Sequence, residues 1–257
     1  MTGAAQPGSL LSVESLVMRF GGLLATDHLD LDIRSGELHA IIGPNGAGKT
    51  TLISQLSGEL RPTEGRILLD GHDVTRLSVN QRALAGIARS YQITSVFLEF
   101  SVLENVTMAV QAAAGHSFGF WRPVLSDARL VAPARELLAT VGLGGQEHVR
   151  VESMAHGARR QLEMAMTLAM RPKVLLLDEP MAGMSRHESQ AVVDLLLRIK
   201  GQYAIVLVEH DMDAIFALAD RISVLVYGKT IACGTPEEIR SNPDVLTAYL
   251  GDQEELS

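Results

Sequence analysis

Gly43-Pro44-Asn45-Gly46-Ala47-Gly48-Lys49-Thr50 is the segment that most restricts what this chain can fold into. It has the form G-x-x-x-x-G-K-[ST], follows the apolar run Leu38 to Ile42, and leads through Thr51 into a helical pattern. Strand, glycine-rich turn and helix in that order predict a loop that cradles phosphate groups. Gly43, Gly46 and Gly48 let backbone N–H groups turn inward around an anion. The helix that starts near Lys49 aims the positive end of its dipole at the same point. Lys49 brings an ammonium to the terminal phosphates of a nucleotide, and the Thr50 hydroxyl is placed to hold Mg²⁺.

Two further apolar runs end in polar residues. Val174 to Leu177 runs into Asp178, Glu179 and Pro180, and Ala204 to Val208 runs into Glu209, His210 and Asp211. Continuous apolar runs of this length suit strands covered on both faces of a parallel sheet. Beside the phosphate loop, Asp178 suits a second Mg²⁺ anchor. Glu179 is then the carboxylate that polarises an attacking water. On its own, His210 reads as a structural or solvated histidine. Leu29, Leu31 and Ile33 alternate with Asp30 and Asp32, the mark of a half-exposed antiparallel strand. Tyr227-Gly228-Lys229 between apolar runs predicts a hairpin turn. Helices are expected over Thr51 to Leu60, Arg159 to Met170 and Glu188 to Lys200. Thr235-Pro236-Glu237-Glu238 has the spacing of a capping box, and Ser185 stands three residues before Glu188 in the same way. About 95–165 is rich in Ala and Leu and helical in pattern, broken by His116-Ser117-Phe118-Gly119-Phe120-Trp121-Arg122-Pro123. That aromatic cluster reads as a small local core or as a docking segment.

The expected fold is therefore α/β: a mostly parallel core sheet with helices on both faces, an antiparallel β subdomain and an inserted α-helical subdomain. The chain has 257 residues, 47% of them hydrophobic, which rules out a disordered polymer. Its net charge of −8 argues against a nucleic-acid partner gripped through phosphates. Cys233, the one cysteine, has no internal disulfide partner; it lies in an apolar stretch and is expected to be a buried thiol. No His/Cys grouping has zinc spacing. No signal peptide is visible, and no apolar stretch approaches a membrane span. A cytoplasmic protein is expected, with any membrane role exercised through a partner.

Taken in order, GPNGAGKTT, Gln92 after Arg-Ser-Tyr, LLLDEP and EHDM resemble the ATP-binding subunit of an ABC transporter. The resemblance covers residues 10–251 as one domain, with 1–9 and 252–257 as tails. RFGGLLATDHLDLDI, SVLENVTMAV, EPMAGM and NPDVLTAYLG are similar to the branched-chain amino-acid importer type. The resemblance implies an ATPase using ATP and Mg²⁺. Phe20 would stack on adenine, Gln92 would touch Mg²⁺ or the water, Glu179 would be the catalytic carboxylate and His210 would contact the γ-phosphate. It implies a second ATPase subunit closing head to tail, a membrane permease, and a periplasmic binding protein acting indirectly. The chain would sit peripherally on the cytoplasmic face of the inner membrane. Alternatives are a urea or short-amide importer, a soluble non-transport ABC ATPase, and a nearly inactive regulatory module.

One motif departs from this family. Where L-S-G-G-Q is expected, the chain has Met154, Ala155, His156, Gly157 and Ala158. Only the backbone donors and the helix dipole of that signature survive such changes, so a weakened contact with the ATP of the partner subunit is expected. Arg159 and Arg160 supply charge there or line a solvated face. Ser185 stands where the family usually has aspartate, and is expected to cap the next helix.

Overall fold

The computed structural model describes residues 8–90, 96–115 and 124–247. In chain order the elements begin with β1 (Ser9–Phe20), β2 (Leu23–Arg34), β3 (Leu38–Ile42), α1 (Lys49–Ser57), β4 (Glu64–Leu69) and β5 (His72–Asp73). They continue with α2 (Val79–Ala85), β6 (Ile87–Ser90), α3 (Val102–Ala113), α4 (Ala128–Thr140), α5 (His156–Ala169) and β7 (Val174–Asp178). The last are α6 (Arg186–Ile199), β8 (Ala204–Val208), α7 (Met212–Leu218), β9 (Arg221–Val226), β10 (Lys229–Gly234) and α8 (Pro236–Arg240).

Two compact units result. The first comprises Met1–Ile87, Lys173–Glu179 and Lys200–Ser257. It holds an antiparallel sheet of order β2-β1-β4-β5 and a second sheet in which β10, β9, β3, β8 and β7 follow one another. In β2 the alternation is realised: Leu29, Leu31 and Ile33 are buried and Asp30 is exposed. The β3, β7 and β8 strands are buried at every position. They pair in parallel, β3 with β8 and β8 with β7, while β9 pairs in parallel with β3 and antiparallel with β10 across the Tyr227-Gly228 turn. Leu16, Leu29, Ile41, Leu52, Leu56, Ile67, Leu176 and Val206 belong to one apolar core that joins both sheets and α1.

The second unit comprises Ala88–Pro172 and Pro180–Ile199. It is wider than the helical insertion expected over 95–165, because α6 packs on α5 and so joins the helices rather than the strands that flank it in sequence. Val131, Ala134 and Leu138 of α4, and Leu162, Ala165 and Leu168 of α5, are buried at helical spacing. Ser101 and Glu104 form a reciprocal cap at the start of α3.

Two helix starts fall where the boundary chemistry expects them, α1 at Lys49 after the glycine-rich turn and α6 at Arg186 after Ser185, whereas α5 starts at His156 rather than Arg159, earlier than apolar periodicity suggests. First turns are polar, so they carry no apolar period. Thr235 caps α8 with Glu238 returning the bond and Pro236 in the first turn. The expectation for Cys233 is corrected: the thiol is exposed, on an edge strand whose residues alternate outward. Its sulfur accepts from the Arg221 guanidinium at 3.3 Å. The aromatic segment 116–123 lies outside the described residues.

Candidate functional site

The first unit brings three loops to one end of its parallel sheet. Ile41 of β3, Val208 of β8 and Asp178 of β7 share a single rung. Strands about 4.8 Å apart then put the turn after β3 and the acids after β7 about 10 Å from each other. The phosphate loop, Glu179 and His210 all leave the carboxyl ends of these neighbouring strands, where open α/β sheets bind ligands.

The loop is held by packing as well as by its own turns. Gly43 has φ 153, and a Cβ there would lie 2.0 Å from the Leu225 carbonyl oxygen, so no other residue fits. The Gly228 N–H donates to the Ala47 carbonyl at 2.9 Å, and the Asp27 N–H donates to Gly228 at 2.9 Å. The β9–β10 turn thus buttresses the loop from β2. Gly48 caps α1 in left-handed backbone with no side-chain bond. Lys49 is buried, and its ammonium donates to the carbonyls of Gly43 at 2.6 Å and Pro44 at 2.9 Å. Thr50 and Thr51 lie in the first turn of α1, after Asn45, Gly46 and Ala47 of the loop.

Asp178 is buried at the end of β7. Glu179 has left-handed backbone, φ 49, which costs a non-glycine residue about 1 kcal/mol. Its N–H donates to Val208 at 2.8 Å, so β8 holds that conformation. Its Oε1 lies 2.7 Å from Nε2 of His210, an acid–imidazole pair joined across 31 positions of sequence. Thr50 and Asp178 provide a hydroxyl and a carboxylate, hard oxygen donors that fit Mg²⁺, which is normally bound by one or two protein oxygens plus phosphate and water. Among the described residues no group of three or more His, Cys, Asp or Glu forms a metal cluster of its own. Phe20 ends β1 and is half exposed. Gln92 lies outside the described residues.

The turn 155–158, where the sequence reading expects the family's signature, belongs to the second unit. Ala155 is the N-cap of α5 and makes no side-chain bond. The Gly157 N–H donates instead to Oε1 of Glu188 at 3.2 Å. The other carboxylate oxygen, Oε2, accepts from the Ser185 N–H at 3.0 Å and the Ser185 hydroxyl at 2.7 Å. These bonds, from Ser185 first and then Gly157, hold the Glu188 carboxyl below the usual carboxylate range. Arg159 donates to the carbonyls of Val151 and Glu152, and Arg160 pairs with Glu163 at 3.3 Å. Burial outweighs Arg160 and pushes the Glu163 carboxyl up. His156 and Ala158 flank Gly157 in the first turn of α5. The bond from Gly157 to Glu188 was invisible in sequence; the S-x-x-E spacing signalled only the Ser185 half of it.

The family described as ABC transporter matches residues 26–182, and that described as branched-chain amino acid ATP-binding cassette transporter matches 229–255. The high-affinity branched-chain amino acid transport ATP-binding protein LivG of Salmonella typhimurium is 39% identical over 95% of this chain and 98% of its own. The corresponding protein BraF of Pseudomonas aeruginosa is 36% identical over the same shares. Among solved structures, an ATP-binding cassette of an ABC transporter in its ADP conformation superimposes with a TM-score of 0.81 at 26% identity, covering 95% of this chain and 99% of that one. A nucleotide-free cassette gives 0.79 at 27%, covering 94% and 98%. With a phosphate loop, a buried aspartate and an acid–imidazole pair at one end of its sheet, the chain belongs to the ABC transporter family and is an ATP-hydrolysing cassette.

Proposed function

We propose that this chain powers the import of branched-chain amino acids. ATP binding closes two cassettes head to tail, and hydrolysis lets them reopen, moving a permease between inward- and outward-facing states. The observation that carries the reading is the contact between Glu179 and His210 at the end of the strands beside the phosphate loop. The cargo is supported by the carboxyl-terminal match at 229–255 and by what LivG and BraF are named for.

The chemistry follows from the groups in place. Loop N–H groups and the start of α1 hold the phosphates, and Lys49 exchanges its carbonyl partners for phosphate oxygens. Thr50 and Asp178 would hold Mg²⁺, with Gln92 beside it, and the ion would neutralise charge between the phosphates. Glu179 orients a water and accepts its proton, and His210 fixes the Glu179 carboxylate while presenting its ring to the γ-phosphate. Phe20 stacks on the adenine. Ala155, His156, Gly157 and Ala158 face the nucleotide of the partner subunit, whether a second copy or a related ATPase. The chain lies on the cytoplasmic face of the inner membrane, held by its permease; a periplasmic binding protein delivers the cargo. No helix among the described residues is long and apolar enough to cross a membrane.

Uptake of labelled leucine, isoleucine and valine tests this. Cells lacking the chain lose ATP-dependent uptake, the parent chain restores it, and Lys49→Ala does not. Unchanged uptake in cells lacking the chain overturns the cargo assignment.

A further inference from the structure

A single carboxylate serves two helices in the second unit. Glu188 returns the capping bond of Ser185 at the start of α6 through Oε2, and receives the Gly157 N–H at the start of α5 through Oε1. Without it α5 would begin bare, because Ala155 makes no side-chain bond at the N-cap. The approach is close enough to constrain the residue it meets. A Cβ at Gly157 would lie 2.9 Å from Glu188 Oε1 and 3.0 Å from its Cγ. Gly157 is not among the glycines with positive φ, so its missing side chain answers to this neighbour and not to a backbone twist.

We propose that Glu188 is a positioning residue for hydrolysis: it locks the signature turn 155–158 to the loop 182–185, so that both meet the partner subunit as one piece. The proposal rests on the functional reading above in one respect, that this turn faces the partner's nucleotide. The Gly157 N–H is taken by Glu188 and anchors the turn, so that the turn's other N–H groups are aimed before closure, and a misplacement of about 1 Å in a donor that meets a phosphate costs about a hundredfold in rate. A side-chain cap from Ala155 is impossible, and Glu188 aims the turn from the neighbouring helix instead.

The test compares two variants in the purified transporter complex carrying the full chain. Glu188→Ala lowers kcat for ATP hydrolysis by about ten- to a hundredfold and leaves KM for ATP within about twofold, because the phosphate loop is untouched. Ser185→Ala removes the hydroxyl's share of the α6 cap but spares the Gly157 bond, and lowers kcat less than about threefold. Equal losses in the two variants overturn the proposal, since Glu188 would then be only a helix cap. A Glu188→Ala rate near that of the parent overturns it too. Should Glu188→Ala fail to fold by circular dichroism, Glu188→Gln carries the test. Its one acceptor oxygen cannot serve both helices, so kcat still falls, and an unchanged rate counts against the proposal. Glu179→Gln runs as the control. Hydrolysis lost there but unaffected at Glu188 sinks this inference alone, whereas hydrolysis unaffected by Glu179→Gln sinks the functional reading.

Discussion

The starts of α1 and α5 face the same physical problem and meet it in opposite ways. Every α-helix begins with N–H groups that lack intrahelical carbonyls. Neither helix has a side-chain cap of its own: α1 follows Gly48 and α5 follows Ala155. At α1 the chain places a cation, with the Lys49 ammonium on the loop carbonyls of Gly43 and Pro44. At α5 it places an anion, with the Glu188 carboxylate on the Gly157 N–H. A cation beside a helix start strengthens the field that draws an anion in. A carboxylate there satisfies the donor and weakens that field. The first start carries positive charge beside its N–H groups and the second carries negative charge.

Three experiments press on that contrast. The largest effect belongs to Lys49→Ala, which lowers ATP affinity and hydrolysis by about a hundredfold or more, since it removes the charge that serves the phosphates directly. Calorimetry with Mg-ATP reads the affinity, and undiminished heat would abolish the distinction between the two helix starts. Gly157→Ala comes next. Alanine favours helix by about 1 kcal/mol over glycine, so thermal stability holds or rises, while displacement of Glu188 lowers hydrolysis about tenfold. Parallel loss of stability and activity would mean that the glycine serves the backbone alone.

The smallest effect lies further along the same two helices. The most deeply buried polar side chain of α1 is neutral Gln55, which accepts from the Thr26 hydroxyl at 3.1 Å, whereas α5 buries part of Glu163. Because burial raises the folded-state pKa of Glu163, the folded chain holds its proton more tightly than the unfolded chain. Stability from this residue is therefore present at low pH and declines as pH rises through the raised value. Glu163→Gln removes the decline and raises Tm at pH 7 by about 1–3 °C, a modest shift because solvent screens the site in part. A Tm difference that does not change between pH 4 and pH 7 would assign the effect to packing.

The legibility of these features tracks how local they are. The phosphate loop is eight consecutive residues whose chemistry and backbone needs coincide, so composition and spacing sufficed. Asp178 and Glu179 were readable because they end a wholly apolar run. His210 read as an ordinary histidine until motif order placed it, since its partner Glu179 lies on a neighbouring strand. Glu188 was readable only as far as Ser185, three residues away; its reach to Gly157 spans 31 positions and depends on how α6 packs on α5. Cys233 was misjudged because apolar neighbours suggest burial, whereas an edge strand turns alternate residues outward. Arg82 carried no signal at all. It is fully buried, and its guanidinium donates to the carbonyls of Gln55 and Leu56 at the end of α1 and to Thr75.

The shared rung through Ile41, Val208 and Asp178 makes strand length matter more than strand spelling. Branched aliphatic residues in β7 and β8 are interchangeable to within ordinary core-packing tolerances. One codon inserted between Ala204 and Val208 would instead swing the imidazole to the opposite side of the sheet and part it from Glu179. Variation along these two segments should accordingly take the form of exchanged letters, with insertions and deletions confined to the connections outside them.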